Sequence, residues 1–169
     1  MIPNVHPLLV HFPIAFLTAY SLLEFARFPI LTKQLFYFYT KAILLFFGVV
    51  MAGPTIIAGL LIQGQFNNHA LVDLHQNINI AASLVFFILA VYYLIIWVNQ
   101  NPPEFLKRQW WWSLKVRSAH IVIQTPLVFL ITLIGLGLLT VGGALGGIIV
   151  YGPNLDPFTA FIAMLLGIK

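Results

Sequence analysis

Charged side chains are scarce in this sequence. Only 7% of its 169 residues are Asp, Glu, Lys or Arg, and 61% are hydrophobic. A water-soluble domain carries about 25% charged residues and about 45–50% apolar ones. Because a core of this size could not bury such an excess of apolar side chains in water, the sequence predicts an integral membrane protein. The four acidic and eight basic residues are spread over short connections, which argues for a topology signal and against nucleic-acid binding.

Cysteine is absent altogether. Its absence excludes disulfides, thiolate metal sites, iron–sulfur clusters and covalent attachment of a c-type haem. The sequence also lacks the P-loop, the HExxH pattern of metalloproteases and the GxSxG nucleophile elbow. Residues 1–5 carry no basic region of the kind that starts a signal peptide, so we expect the first apolar segment to be a mature helix.

Four apolar segments are long enough to cross a bilayer, which takes about 20 residues. We predict an all-α, integral membrane four-helix bundle that forms one domain over residues 1–169, with helices at about 7–28, 38–62, 70–98 and 117–141. The last helix could continue past its glycine cluster. The apolar tail, 153–169, is too short to span and is expected to be an interfacial C-terminal segment or to dock on another subunit.

Basic residues alternate between the predicted loops. The first loop carries Lys33 and the third carries Lys107, Arg108 and Lys115, whereas the second, residues 63–69, carries neither Lys nor Arg. The positive-inside bias then places the first and third loops in the cytoplasm. We therefore expect a multi-pass protein of a prokaryotic inner membrane, with both termini and the second loop on the extracytoplasmic side.

Five histidines stand out in so apolar a chain. Ionisable side chains inside a bilayer are costly, usually face the protein interior and are functional by default. His6 and His11 lie at the start of the first helix, and His69 and His75 at the start of the third, so all four belong to the predicted extracytoplasmic side. His120 lies alone at the cytoplasmic start of the fourth helix, where an interfacial role is favoured over ligation.

Two histidines on different helices at one depth are suited to bind the iron of a haem b as its two axial ligands. His11 and His75 form the first candidate pair, and His6 and His69 form the second. One haem is therefore expected, or two if both pairs bind. A purely structural hydrogen-bonding role for each histidine is the alternative.

Small and polar residues accompany these histidines. Two overlapping glycine faces, Gly142-x-x-x-Gly146 and Gly143-x-x-x-Gly147, lie near the outer end of the fourth helix, and such faces allow close helix approach. A metal-ligating histidine usually donates its second ring N–H to a nearby acceptor. Three side chains beside His75 are candidates for that role: Asp73, Gln76 and Asn77.

The opening octapeptide, His6 to Pro13 (HPLLVHFP), resembles the start of a family of small prokaryotic membrane proteins with four predicted helices, classified as a domain of unknown function. Further features match that family over residues 2–151: the pair Ala58-Gly59, His75 with Asn79, and the closing GGIIVY of Gly146–Tyr151. Within this resemblance the histidines on matched motif positions are His6, His11 and His75.

The resemblance implies a relative of the b-type cytochromes, since members of the family are found beside or fused to c-type cytochromes. The chain departs from the family pattern after its last long helix, where relatives carry Tyr-x-His-Gly and this chain has Tyr151, Gly152 and Pro153. That departure removes a ligand position for a second haem on this side.

These features together predict a haem-b-binding membrane subunit that transfers electrons near the extracytoplasmic face, rather than a stand-alone enzyme. Its expected partners are the lipid bilayer, a c-type cytochrome or other redox subunit, and a quinone, within a hetero-oligomeric complex. Two alternatives stay open. One is a copper or zinc site built from the histidines with Asp73, and the other is a non-catalytic structural subunit of a larger membrane complex.

Overall fold

A computed structural model describes residues 5–27, 29–32 and 34–168. Phe28, Lys33 and Lys169, which the predicted first helix, first loop and tail include, lie outside the described residues. Within the described ranges the regular structure is helical: α1 His6–Phe25, α2 Pro29–Thr32, α3 Leu35–Ile62, a 3-10 turn Gln63–Gln65, α4 His69–Asn99, α5 Glu104–Lys107, α6 Trp110–Gln124, α7 Leu127–Tyr151 and α8 Pro157–Leu166.

Four of these helices, α1, α3, α4 and α7, are long and apolar enough to cross a membrane. The prediction of an all-α chain with four such helices is confirmed. Large apolar side chains lie on their outward surfaces, for example Leu22 and Ile57, each 60% exposed, and Leu133, 58% exposed. Because extended apolar surfaces of this kind are rare on soluble monomers, the surface is compatible with a multi-pass membrane protein.

The fourth long helix begins later than the sequence predicted. The predicted segment 117–141 is divided at Thr125 and Pro126, so that its first part belongs to α6 and the long helix is α7, Leu127–Tyr151. Pro126 has no N–H to donate, and a residue before proline is disfavoured in the helical conformation. Thr125 accordingly is extended, with ψ of 169°. The break makes α6 a separate helix that packs against α4.

The four long helices pack in two antiparallel pairs, α1 with α3 and α4 with α7, and the pairs meet through α3 with α4 and α1 with α7. Large side chains such as Tyr20, Phe86 and Tyr93 fill the centre and are fully buried. Two ends result. At the histidine end, α1 and α4 begin and α3 and α7 finish. At the charged end, α1 and α4 finish and α3 begins.

The C-terminal tail contains α8, which packs against α7. Asp156 caps this helix, since its carboxylate accepts hydrogen bonds from the backbone N–H groups of Phe158 and Thr159 at 2.8 and 3.0 Å. Ten residues are too few to cross a bilayer. Thr159, Ile162 and Ala163 are buried, which shows that one face of α8 is docked on the rest of the chain.

Candidate functional site

His75 is half-buried near the start of α4, and its ring is held by the backbone of α7. The Nδ1 atom lies 2.9 Å from the carbonyl oxygen of Gly142. A carbonyl oxygen only accepts hydrogen bonds, so Nδ1 carries the proton and donates. In the neutral ring the lone pair then lies on Nε2, and this is the nitrogen that can bind a metal ion.

His6, at the start of α1, is held in the same way by α3. Its Nδ1 lies 3.0 Å from the carbonyl oxygen of Thr55, which assigns the proton to Nδ1 and the lone pair to Nε2. The ring lies over Gly59, because a Cβ added to Gly59 would come within 3.1 Å of the His6 ring carbon Cε1. A glycine at this position therefore leaves room for the imidazole.

The two histidines belong to two equivalent arrangements, which we call histidine–glycine units. In each unit a histidine at the start of one helix donates to a carbonyl near the end of its partner helix, and its ring lies over the glycine four residues beyond that carbonyl. His75 lies over Gly146 at the same 3.1 Å at which His6 lies over Gly59. This repetition could not be predicted from the sequence, because the acceptors are backbone carbonyls, which every residue carries.

His6 and His75 lie at the same end of the chain, each near the start of its helix. One histidine comes from the α1–α3 pair and the other from the α4–α7 pair. The site thus joins the two halves of the chain at the histidine end. Both side chains are half-buried.

Asn79 fixes how closely α4 approaches α7. Its amide nitrogen donates to the carbonyl oxygen of His75 at 2.8 Å. A Cβ on Gly142 would lie only 2.5 Å from the Asn79 side-chain oxygen, whereas a Cβ on Gly143 would meet nothing within 4 Å. Of the two predicted glycine faces, the one that begins at Gly142 therefore serves the site.

Thr55 also contacts a backbone carbonyl of α1 that a proline leaves without its helical hydrogen-bond donor. Pro13 lies inside α1 and has no N–H, so it cannot bond to the carbonyl of Leu9, four residues earlier. The hydroxyl of Thr55 lies 3.2 Å from that carbonyl oxygen and 2.8 Å from the carbonyl oxygen of Met51. The same residue thus contacts α1 through its hydroxyl and holds His6 through its backbone.

The remaining histidines are placed differently. His11 is exposed, and its Nδ1 lies 2.6 Å from the carbonyl oxygen of Pro7 in its own helix. His69 is exposed as the first residue of α4, and His120 is half-buried within α6. His6 and His11 are five residues apart, which separates them by roughly 140° around a helix, so the two side chains lie on different faces.

The two histidines that the structure holds in equivalent ways are His6 and His75, one from each of the two pairs that the sequence suggested. It also gives the ring of His75 a different acceptor. The Nδ1 partner is the Gly142 carbonyl, not a side chain of Asp73, Gln76 or Asn77.

A cavity of about 360 Å³ lies beside the site at the histidine end. Its apolar walls include Val72, one helical turn before His75, and Ile149, one turn beyond Gly146. Amide side chains of the connection between α3 and α4 complete the lining, among them Gln65, Asn67 and Asn68. The lining thus combines apolar side chains with amide groups, and no histidine belongs to it.

The charged end contains a buried ionic cluster that the sequence did not reveal. Glu24 is fully buried, and its carboxylate contacts Lys41 at 2.9 Å and Arg27 at 2.8 Å. The hydroxyl of Tyr93 donates to the same carboxylate at 2.6 Å. Arg27 also donates to the carbonyl oxygen of Ile123, near the break between α6 and α7. The cluster therefore ties α1, α3, α4 and α6 together.

In the sequence, the one feature that hints at this cluster is an acidic residue, Glu24, inside an apolar helix. Its partners come from three other parts of the chain, and their convergence depends on helix packing that hydropathy does not encode. The partners that the structure gives to the Glu24 carboxylate are Lys41, Arg27 and Tyr93.

No known protein family, curated protein or solved structure matches the chain. Among the described residues, no group of three or more His, Asp or Glu side chains is arranged to bind a metal ion. The half-buried donors at the histidine end are the imidazoles of His6 and His75. Two nitrogens complete the coordination of a haem iron, whose macrocycle supplies the other four, whereas a structural zinc site takes four protein ligands.

Proposed function

We propose that this chain is a haem-b-binding subunit of a membrane electron-transfer complex, with His6 and His75 as the axial ligands. The observation that carries the proposal is the repeated histidine–glycine unit. Both Nδ1 atoms donate to backbone carbonyls, as the ligands of metal and haem sites usually do, and this supports Nε2 of each ring as the nitrogen that would bind iron.

Haem iron, when bound, supplies the one-electron redox chemistry. The residues of the chain supply ligation and orientation. The carbonyls of Thr55 and Gly142 fix the tautomer and direction of the two rings. The glycines beneath the rings, Gly59 and Gly146, allow the helices to approach closely. The apolar setting lowers the local dielectric.

The proposed setting is a prokaryotic inner membrane. Arg27, Lys107, Arg108 and Arg117 lie at or beyond the charged end, which the positive-inside bias assigns to the cytoplasm. His6 and His75 then lie near the extracytoplasmic face, with both termini on that side. The docked helix α8 would lie along the same interface.

Two features favour particular partners. The cavity beside His75 has apolar walls and amide groups, and its volume of about 360 Å³ lies within the usual range of small-ligand sites. Amide N–H groups can donate to the carbonyl oxygens of a quinone, so a quinone is the partner we propose within the bilayer. A c-type cytochrome on the extracytoplasmic side is the partner that the sequence resemblance implies.

The test is an optical spectrum of the purified full chain, expressed with added haem precursor and measured oxidised and dithionite-reduced. We expect a Soret band and a shift of the visible bands on reduction in the wild type. His6→Ala and His75→Ala should each lose most of the bound haem, and His11→Ala is the matched control that should retain it. Circular dichroism checks that each variant remains helical.

Three outcomes would contradict the proposal. Stoichiometric copper or zinc without iron would indicate the copper or zinc site built from the histidines with Asp73 instead. Loss of haem in His11→Ala with retention in His6→Ala would restore His11 and His75 as the pair. An absence of both haem and metal from the wild type would favour a structural subunit.

A further inference from the structure

A groove of about 310 Å³ lies between α4 and α6. None of its lining residues belongs to either histidine–glycine unit. Its walls are mostly apolar and come mainly from α4, and α6 contributes a lysine and a serine. The lining residues are Phe87, Ile88, Val91, Tyr92 and Ile95 from α4, with Lys115 and Ser118 from α6.

The amine of Lys115 is placed at the rim of this groove by an aromatic neighbour. Its Nζ atom lies 4.8 Å from the centre of the Trp111 ring, within the range of a cation–π contact. Its side chain is exposed. The groove thus combines an apolar surface with a cation at its rim. This combination is complementary to an amphipathic ligand that has an apolar chain and an anionic group.

The position of the amine along the bundle matches the headgroup region of a bilayer. The indole N–H of Trp112 donates to the side-chain oxygen of Asn99 at 3.2 Å, which aligns the start of α6 with the end of α4. Tryptophans such as the exposed Trp110 prefer the headgroup level. Lys115 lies about one helical turn deeper, a depth from which a lysine side chain extends its amine to the interface.

The charge of the surrounding segment favours an anion. Between residues 104 and 124 there are four basic residues and one acidic residue, Glu104. That acidic residue is paired with Lys107. The remaining cations are Arg108, Lys115 and Arg117, and of these Lys115 lines the groove.

From this geometry we propose that the groove between α4 and α6 is a specific binding site for an anionic phospholipid. One acyl chain packs along Val91 and Ile95, and the phosphate accepts a hydrogen bond from the Lys115 amine. Basic sites between membrane helices recognise anionic headgroups by this combination of charge and apolar surface. The inference does not rest on haem binding.

The test uses the purified full chain in a neutral detergent, with bound lipid counted by native mass spectrometry. The probes are phosphatidylglycerol and phosphatidylcholine with identical acyl chains. Phosphatidylglycerol should bind more tightly to the wild type. Lys115→Gln should weaken its binding about five-fold, the effect of one lysine near an anionic headgroup. Lys107→Gln, which removes the same charge outside the groove, should leave binding unchanged.

A second pair of variants tests the apolar part of the site without changing charge. Val91→Trp, at a position 38% exposed inside the groove, should reduce phosphatidylglycerol binding because the indole occupies the space of the acyl chain. Leu94→Trp, at a position 50% exposed on the same helix but outside the groove, is the control. Equal binding of the two lipids, equal effects of the two lysine variants or an unaffected Val91→Trp would each overturn the proposal.

Discussion

Replacement of Gly142 by alanine tests the closest helix approach at the histidine end. The added Cβ would lie 2.5 Å from the side-chain oxygen and 2.8 Å from the side-chain carbon of Asn79. Overpacking of this kind costs about 1–3 kcal/mol, and the better helix propensity of alanine returns about 1 kcal/mol. We therefore expect Gly142→Ala to lower the free energy of unfolding by up to about 2 kcal/mol.

Gly143 provides the matched control on the same helix. A Cβ at this position would meet nothing within 4 Å, so only the propensity term applies and Gly143→Ala should be neutral or stabilising by up to about 1 kcal/mol. Because Asn79 is the clashing neighbour, Asn79→Ala added to Gly142→Ala should recover part of the loss.

The measurement is unfolding by sodium dodecyl sulfate in mixed micelles, followed by circular dichroism. Haem retention should follow the same order, since Asn79 and Gly142 both contact His75. Equal stabilities of Gly142→Ala and Gly143→Ala would refute the helix approach described for α4 and α7. A Gly142→Ala variant that Asn79→Ala does not improve would refute the assignment of the clash.

Two further predictions concern other parts of the chain. Glu24→Leu leaves the Lys41 amine and the Arg27 guanidinium without their carboxylate, and loss of one buried partner costs about 3–5 kcal/mol. Adding Lys41→Met should restore part of this loss in the same unfolding assay. A double variant whose loss is the sum of the two single losses would contradict the ion pair. Backbone N–H groups of Thr159 and Phe158 hold the pKa of Asp156 below its usual value. The cap therefore stabilises α8 above the ordinary aspartate pKa of about 4 and is lost as pH falls through the lowered value. Fraying of α8, measured by amide exchange corrected for the intrinsic rate, should increase at acidic pH, whereas Asp156→Asn should keep the helix with little pH dependence.

Hydropathy was sufficient to predict the four long helices, because about 20 apolar residues are needed wherever a helix crosses a bilayer. It could not predict where α7 begins. The apolar character continues from α6 through Pro126 into α7, and only the missing N–H of the proline and the extended conformation of Thr125 separate the two helices.

The histidine end was predictable in part. The sequence indicated histidines from two helices at one end, but helix rotation decides which of His6 and His11 faces the partner helix. Apolar residues on all sides of α1 left that rotation undetermined. In the structure the Thr55 carbonyl and the space over Gly59 select His6.

The charged cluster was the least predictable feature. Glu24 and Arg27 are neighbours on one helix face, yet Lys41 and Tyr93 come from α3 and α4. Charge neutralisation inside an apolar bundle requires such partners, but sequence spacing does not specify them. The structure thus contains a buried ionic contact at one end and two half-buried imidazoles at the other.

The assignment of His6 and His75 as a haem-ligating pair is tested most directly by electron paramagnetic resonance of the oxidised, purified chain at low temperature. We expect a low-spin ferric haem signal in the wild type and in His11→Ala. His6→Ala and His75→Ala should each convert any retained haem to a high-spin, five-coordinate signal. A low-spin signal that persists unchanged in His6→Ala, or no haem signal in the wild type, would contradict the assignment.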